Sequence, residues 1–196
     1  DDNTVYTFNL RQDAKWSNGD AVTAHDFVYG WQRAVDPATG SPYSWFVDIA
    51  QIVNASKIIS GDTSASELGV RAIDDYTFEV SLEGPVSFFP KMVVHATLFP
   101  AHQATIEAHG DKWTHAENIV SNGAYQLTNW KINERMDLTR NQHYWDNAKT
   151  VVDKVTFLTI ESENAALARY RAGEMDIVSS FPSDQLKTLR QDIGDE

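Results

Sequence analysis

Near its beginning, the chain places a strand, a tight turn and a capped helix in immediate succession, and this run constrains the fold most. Residues 4–11 alternate polar and apolar side chains, which is typical of a strand with one buried face. Asn18-Gly19 predicts a tight turn, because both residues accept a positive φ. Thr23 then predicts the N-cap of a helix that ends at Asp36-Pro37. The first segment of the fold therefore combines both types of secondary structure.

The rest of the chain continues to mix strands and helices. Hairpins are predicted over residues 69–82 and 125–140, and single strands over residues 155–160 and 175–178. Helices are predicted over residues 43–50, 53–60, 88–94, 102–109, 163–172 and 183–193, with Ser183 as the cap of the last one. Because these elements do not follow a strict βαβ alternation, the predicted fold class is α/β in the mixed α+β sense.

A stretch rich in proline divides the chain into two lobes. Pro85, Pro90 and Pro100 break this stretch into short pieces, and the composition shifts only there. We therefore predict a border between two compact lobes at this place. The strands expected in the first lobe are residues 6–11 and 78–82, and those in the second are residues 125–130, 135–140 and 155–160.

The charge and the residue composition exclude several classes of function. The formal net charge is −12, and such a surface repels phosphate backbones and anionic lipids. We therefore expect no nucleic acid partner and no binding to a membrane surface. No apolar stretch approaches the roughly 20 residues that a membrane span requires. The chain has no cysteine, which excludes disulfides, thiol catalysis and cysteine-ligated zinc.

No sequence motif for catalysis or cofactor binding is present. The chain lacks the G-x-S-x-G, phosphate-loop, G-x-G-x-x-G and H-E-x-x-H patterns. Asp74-Asp75 falls in a predicted hairpin turn, where solvated carboxylates are common. Four histidines recur about every seven residues from position 95, but Pro100 interrupts any helix that would align them. We therefore expect no catalytic site, no metal site and no cofactor.

Aromatic residues beside turns leave two interpretations open. Phe, Trp and Tyr make up 11% of the chain, and such rings either close the rim of a core or form a binding surface. Trp31 lies on the apolar face of its predicted helix and is expected in the core. Trp16 lies beside the first turn, and Tyr43 opens a helix after a loop, where its hydroxyl can face a cleft. The residue pattern alone does not decide between core and binding surface for Trp16 and Tyr43.

Several stretches of the chain resemble a known family. They are YTFNLRQDAKWSNGDAVTAHDFVYGWQRAVDP at residues 6–37, LGVRAIDDYTFEVSLEGPVSFF at 68–89, NIVSNGAYQLTNW at 118–130, RNQHYWDNAKTVVDKVTFLTI at 140–160 and RYRAGEMDI at 169–177. In this order they resemble the periplasmic oligopeptide-binding proteins of bacterial ABC importers, which are members of extracellular solute-binding protein family 5. The resemblance covers practically the whole chain.

The resemblance implies an internal piece of a longer, periplasmic-binding-protein-like protein with three domains. Residues 1–102 would form most of the small second domain, and residues 103–196 the central part of the first, ligand-binding domain. The third domain would be absent from this chain. Family members bury a peptide between two lobes that close on a hinge. Trp16 would then close the end of the second domain's core, since most peptide contacts come from the other two domains.

The resemblance also implies which residues face the peptide. Tyr43 matches a tyrosine that reaches the bound peptide near the hinge. Ser179 and Ser180 match a stretch that lines the cleft and pairs with the peptide backbone, although this chain has Ser-Ser-Phe where the family has Tyr/Asn-Asn. Serine hydroxyls can still bond to peptide backbone or to water. The aspartate that receives the amino terminus of the peptide belongs to the third domain.

The implied function is binding without catalysis. The chain is identified as part of the solute-binding component of an ABC importer, which captures oligopeptides in the periplasm and delivers them to the membrane subunits. In a Gram-positive cell, such a protein would be lipid-anchored at the surface. We expect a monomer. The alternatives are a dipeptide-, murein-peptide- or nickel-binding member of the same superfamily and, from the aromatic and carboxylate residues only, a carbohydrate or peptide hydrolase.

Overall fold

A computed structural model describes residues 3–192 and residue 194, and within them helices and strands are mixed along the chain. The strands are β1 (Val5–Asn9), β2 (Val70–Asp74), β3 (Thr77–Ser81), β4 (Tyr125–Lys131), β5 (Arg135–Arg140) and β6 (Lys154–Leu158). The α-helices are α1 (Ala24–Val35), α2 (Ser44–Ile49), α3 (Ala55–Ile59), α4 (Phe89–Met92), α5 (Gln103–His109), α6 (Glu163–Arg171) and α7 (Leu186–Asp192). The predicted mixed α/β class is confirmed.

The strands form two separate antiparallel sheets. The first sheet has the order β1-β3-β2, and the second has the order β4-β5-β6. In the first sheet, Phe8 lies opposite Phe78. In the second sheet, Met136 lies between Trp130 and Phe157. The prediction of one sheet in each half of the chain is confirmed, whereas the assignment of the two halves to domains of a longer protein stays a prediction.

Helix α1 begins at a capping box, and it ends at Asp36, where the 3-10 turn Pro37–Thr39 starts. The Asp26 carboxylate accepts hydrogen bonds from the backbone N–H of Thr23 at 2.7 Å and from the Thr23 hydroxyl at 3.2 Å. Its negative charge also stabilises the positive end of the helix dipole. At the other end, the Asp36 carboxylate accepts a hydrogen bond from the N–H of Ala38 at 2.9 Å, and Pro37 disfavours a helical conformation at Asp36. Both predicted ends of α1 are confirmed.

The hydrophobic core lies between α1 and the first sheet. Trp31 of α1 is 2% exposed, and its ring meets that of Phe78 edge-on with 5.0 Å between the centroids. The indole Nε1–H of Trp31 donates to the carbonyl of Leu98 at 2.8 Å, so the buried polar atom has a partner. Apolar residues from α2, α3 and α4 complete this core. The prediction that Trp31 is buried is confirmed.

Gly30 allows α1 to approach the segment that follows this core. A Cβ atom at position 30 would lie 3.0 Å from the carbonyl oxygen of Phe99 and 3.1 Å from the backbone nitrogen of Ala101. The N–H of Ala101 also donates to the carbonyl of Asp26 at 3.1 Å. The helix and this segment are therefore in direct backbone contact, and any side chain at position 30 would force them apart.

The turn after β1 connects the two parts of the molecule. Trp16, at the start of this turn, is 3% exposed, and its Nε1–H donates to the Asp26 carboxylate at 3.3 Å. The N–H of Ser17 donates to the carbonyl of Ser121 at 2.7 Å, and the N–H of Ser121 donates back to the Ser17 hydroxyl oxygen at 3.2 Å. Ser121 lies just before β4, so these two hydrogen bonds join the turn to the segment that leads into the second sheet. The prediction that Trp16 is a core residue is confirmed.

The strand predicted over residues 175–178 is wrong. This segment has no regular secondary structure, and Ile177 is 80% exposed. A strand is stable only when its N–H and C=O groups join a hydrogen-bonded ladder. None of the strands in residues 3–192 pairs with this segment.

The predicted capping role of Ser183 is also wrong. Ser183 is the first residue of a 3-10 turn, Ser183–Gln185, whose N-cap is Pro182. The chain enters the helical conformation one residue earlier than predicted, so Ser183 is already inside the turn and not at its cap. Helix α7 follows from Leu186, and the predicted end of this helix at Ile193 lies outside the described residues.

Candidate functional site

Tyr43 lies at the N-cap position of α2 and is 49% exposed. Its backbone N–H donates to the hydroxyl oxygen of Ser41 at 3.3 Å, which fixes the backbone at the start of the helix. In the described part of the chain, no group forms a hydrogen bond with the phenolic hydroxyl of Tyr43. This hydroxyl can therefore donate to, or accept from, a bound molecule.

Four rings surround this position and form one cluster, which we call the aromatic shelf: Tyr43, Trp45, Phe46 and His95. The ring centroids of Tyr43 and Trp45 are 6.0 Å apart, and those of Tyr43 and His95 are 5.6 Å apart. The rings of Phe46 and His95 stack with 4.1 Å between centroids and 23° between planes. The two contacts of Tyr43 fall in the range of about 4.5–7 Å for attractive ring pairs, and Phe46 and His95 are in closer, stacked contact. The shelf is therefore a preformed surface.

His95 joins the aromatic shelf from a distant part of the chain, and the sequence analysis did not assign it to a site. Its Nδ1 accepts a hydrogen bond from the backbone N–H of Thr97 at 3.3 Å, so the neutral ring carries its proton on Nε2. That Nε2–H is a second donor beside the hydroxyl of Tyr43. Along the chain, a hairpin and the three helices α2, α3 and α4 separate His95 from Tyr43. Only the regular spacing of His95 from other histidines was visible in the sequence.

Ser179 and Ser180 lie in the irregular segment that follows α6, and both are exposed. The chain leaves α6 through Gly173, whose φ of +72° suits a residue without a Cβ atom. Beyond it, a cavity of about 370 Å³ opens between α6 and α7, and its walls include Leu167, Phe181 and Leu189. The two serines are not among the residues that line this cavity.

The structure does not bring the predicted site residues together. In the part of the chain that the structure describes, no hydrogen bond or ring contact joins Tyr43 to Ser179 or Ser180. Tyr43 belongs to the aromatic shelf beside the first sheet, whereas the serines follow the second sheet along the chain. A ligand that touches both places would have to bridge two separate parts of the molecule. Their role as binding residues stays a prediction.

The histidine next to the first turn has a structural partner. Nε2 of His102 lies 3.1 Å from the Asp20 carboxylate, and Nδ1 accepts a hydrogen bond from the backbone N–H of Thr105 at 3.2 Å. The pKa of Asp20 is held below its ordinary value, first by the hydrogen bond from the Asn18 amide and then by the contact with His102. His102 thus caps α5 and fastens it to the turn.

Two further features of the described residues bear on the class of site. Between residues 3 and 192, no three or more His, Asp or Glu side chains are grouped so that they could hold a metal ion. None of the helices within the same residues has the length and apolar character needed to cross a membrane.

Comparison with known proteins identifies the family. Residues 1–196 match the family described as "Bacterial extracellular solute-binding proteins, family 5 Middle". The chain belongs to this family. Its similarity to the periplasmic oligopeptide-binding protein OppA of Salmonella typhimurium is 50% identity over 193 residues, which is 98% of this chain and 36% of that protein. This member of the family therefore spans about a third of the length of its curated relatives.

Solved structures of family 5 proteins share its fold. The murein tripeptide-binding protein MppA of Escherichia coli matches with a TM-score of 0.96 and 47% identity, over 98% of this chain and 38% of MppA. OppA of Haemophilus influenzae, solved in complex with the peptide RPPGFSPFR, matches with a TM-score of 0.93 and 46% identity, over 97% of this chain and 37% of that protein. The predicted periplasmic-binding-protein-like fold is confirmed.

Proposed function

We propose that this family 5 chain is part of the solute-binding component of a bacterial ABC importer, which captures oligopeptides in the periplasm and delivers them to the membrane subunits. The observation that carries this proposal is the match to a peptide-bound relative over 97% of the chain at 46% identity. The relatives named above as periplasmic proteins support the same compartment.

In this proposal, residues 1–102 form most of the second domain and residues 103–196 the central part of the first domain. A third domain, outside this chain, completes the cleft. The separate sheets of the two halves support this division. The hydrogen bonds between Ser17 and Ser121 connect a residue of the proposed second domain to a residue of the proposed first domain.

The proposed mechanism uses groups that every peptide shares. The hydroxyls of Tyr43, Ser179 and Ser180 form hydrogen bonds with peptide backbone, directly or through water. Because the backbone is the same in all peptides, these bonds stabilise the complex without selecting a sequence. Closure of the lobes around the ligand is a shift of population from open to closed states, and the membrane subunits recognise the closed form.

Titration calorimetry with tri- to pentapeptides tests this proposal. We expect the full-length protein that contains this chain to bind them with a Kd that is micromolar or lower, about −8 kcal/mol. The 196-residue chain offers only part of the cleft and leaves peptide groups without partners, so its Kd should be no lower than millimolar, about −4 kcal/mol. If the full-length protein does not bind peptides, the proposed function is wrong. If the 196-residue chain binds them at micromolar Kd, the division of the cleft is wrong.

A murein peptide is a second candidate ligand. The observation that favours it is the TM-score of 0.96 with MppA, which is higher than the 0.93 of the OppA structure described above. Competition between a murein tripeptide and an ordinary tripeptide for the full-length protein separates the two candidates. A murein tripeptide that binds at least ten times more tightly would assign the protein to the MppA branch. Equal or weaker binding supports a general oligopeptide-binding protein.

The proposed protein is a monomer that does not alter its ligand. Members of this family are solute-binding proteins. Incubation of the full-length protein with peptides, followed by mass spectrometry, should return the peptides unchanged, and cleavage products would assign it to the hydrolases instead. Sedimentation should give the mass of a single chain with and without peptide.

A further inference from the structure

The indole of Trp45 is held rigidly while much of its surface faces solvent. Its Nε1–H donates to the carbonyl of Pro42 at 3.0 Å, so the polar atom of the ring has a partner. The side chain is nevertheless 50% exposed. A ring that is already immobilised loses little conformational entropy when another group packs against it. Trp45 therefore offers a preorganised apolar surface.

A second exposed apolar side chain lies one helical turn further along α2. Ile49 is 51% exposed, and residues four positions apart lie on the same face of an α-helix. Trp45 and Ile49 therefore form an apolar strip along α2, beside the free hydroxyl of Tyr43. The ring centroid of Trp45 is also 6.0 Å from that of the half-buried Phe46, so the strip continues into the aromatic shelf.

We propose that Trp45 and Ile49 form a subsite for an aromatic side chain of the bound peptide. This inference rests on the proposed function, in which the hydroxyl of Tyr43 bonds to the peptide backbone. A side chain next to that backbone group reaches the strip on α2, where a Phe or Tyr ring stacks on the exposed indole face. Ring pairs prefer offset or edge-on contacts with centroids about 4.5–7 Å apart, which are the contacts that the shelf already makes internally.

The subsite gives the protein a preference for an aromatic side chain at one peptide position, whereas its contacts with the peptide backbone are the same for every peptide. A favourable ring pair increases affinity about two- to tenfold beyond the burial of apolar area. An Ala side chain in the same place reaches neither the indole nor Ile49. Two peptides that differ only by Phe or Ala at this position should therefore differ in Kd. At the other positions, Trp45 should not contribute to any difference in Kd between Phe and Ala peptides.

The test is calorimetry on the full-length protein with tetrapeptides that carry Phe, Arg or Ala at each position in turn. At one position, we expect the Phe peptide to bind about two- to tenfold more tightly than the Ala peptide. In W45A this ratio should fall close to one. W45F, which keeps a ring, should retain most of the preference. W130A removes an equally exposed indole on β4 and should leave the ratio unchanged.

Two results would overturn the inference without affecting the proposed function. They are an unchanged Phe-to-Ala ratio in W45A, whether or not both peptides lose affinity, and an Arg peptide that binds more tightly than the Phe peptide at the selected position. The last result would indicate a site for cations on the indole face. A wild-type protein that binds none of the tetrapeptides would instead refute the proposed function itself.

Discussion

The two sheets of this molecule each have three antiparallel strands but differ in strand order and in what covers them. On the first sheet, Phe78 and Val80 of β3 are 2% and 0% exposed, because α1 packs against that face. On the second sheet, Trp130 and Phe157 lie on either side of Met136 and are 50% and 55% exposed. Both sheets thus present an apolar face, and only the first one is buried within the described residues.

This difference separates two ways of stabilising a sheet. The first sheet is stabilised by burial of apolar area, the largest favourable term in folding. The second sheet is bordered by polar contacts, such as those of Asp137, which accepts hydrogen bonds from the Asn129 amide at 2.7 Å and from the Thr156 hydroxyl at 3.0 Å. Single polar contacts at a surface contribute little. Most of the stability of this chain should therefore reside in its first half.

The largest expected effect contrasts two tryptophans. Trp31→Ala should lower the free energy of unfolding by about 3–5 kcal/mol, because it leaves a cavity between α1 and the first sheet. Trp130→Ala, at a half-exposed position on the second sheet, should lower it by less than about 1 kcal/mol. Urea unfolding of both variants measures these losses. Similar losses in the two variants would contradict the comparison between the sheets.

An intermediate effect is expected at Asp26. Its carboxylate accepts hydrogen bonds from the backbone and hydroxyl of Thr23 and from the indole N–H of Trp16. Asp26→Ala leaves these donors without an acceptor and should cost about 1–3 kcal/mol. Asp26→Asn keeps one acceptor oxygen and should cost less.

An Asp-to-Ala substitution in the second sheet provides a matched comparison for the stability loss in Asp26→Ala. Asp137→Ala, which also removes several hydrogen bonds, should cost less than Asp26→Ala because water can replace the lost partners at the surface. The reverse order in urea unfolding would mean that the polar network of the second sheet is a major source of stability.

The smallest effect concerns the pH dependence of Asp137. The pKa of this carboxyl lies below its ordinary value, first because of the hydrogen bond from Asn129 and further because of Thr156 and Arg135. The folded-state pKa is thus lower than the unfolded-state value of about 3.9. The carboxylate therefore stabilises the fold above that pH, and the contribution is lost as the pH falls through the folded-state pKa.

NMR titration of the Asp137 carboxyl measures this shift. Thr156→Val removes one donor and should raise the pKa toward its ordinary value, while Thr128→Val, whose hydroxyl bonds to the carbonyl of Asp137 instead, should leave it nearly unchanged. A pKa at or above about 3.9 in the unmodified chain would show that the network does not favour the charged carboxylate.

Features that depend on neighbours in the chain were predictable. Helix α1 was predicted with both of its ends, because its caps at Thr23 and Asp36 act within a few residues. The hairpin of β2 and β3 was predicted from two alternating runs and the turn between them, where the N–H of Tyr76 donates to the Asp74 carboxylate at 2.8 Å. Trp31 was assigned to the core because the other apolar residues of α1 repeat at helical spacing.

Features that depend on distant partners were not predictable. Residues 175–178 have the composition of a strand, but a strand requires another strand to pair with, and sequence alternation does not reveal whether one is present. His95 and Tyr43 lie together because α2 and the 3-10 turn Ala96–Leu98 meet beside the first sheet, a contact between segments far apart in the chain. The candidate site was therefore recognised at Tyr43 only, and by resemblance to a family.

The sequence by itself determined both ends of α1, the two hairpins and the family, because these follow from interactions between near neighbours or from the order of the residues. Only the tertiary structure decided which apolar faces are covered and which rings meet. It buried Trp16 and Trp31, left Trp45 and Trp130 half exposed, and placed His95 next to Tyr43. The physical reason is that burial depends on which surfaces pack together in space, whereas capping and turn formation depend on a few consecutive residues.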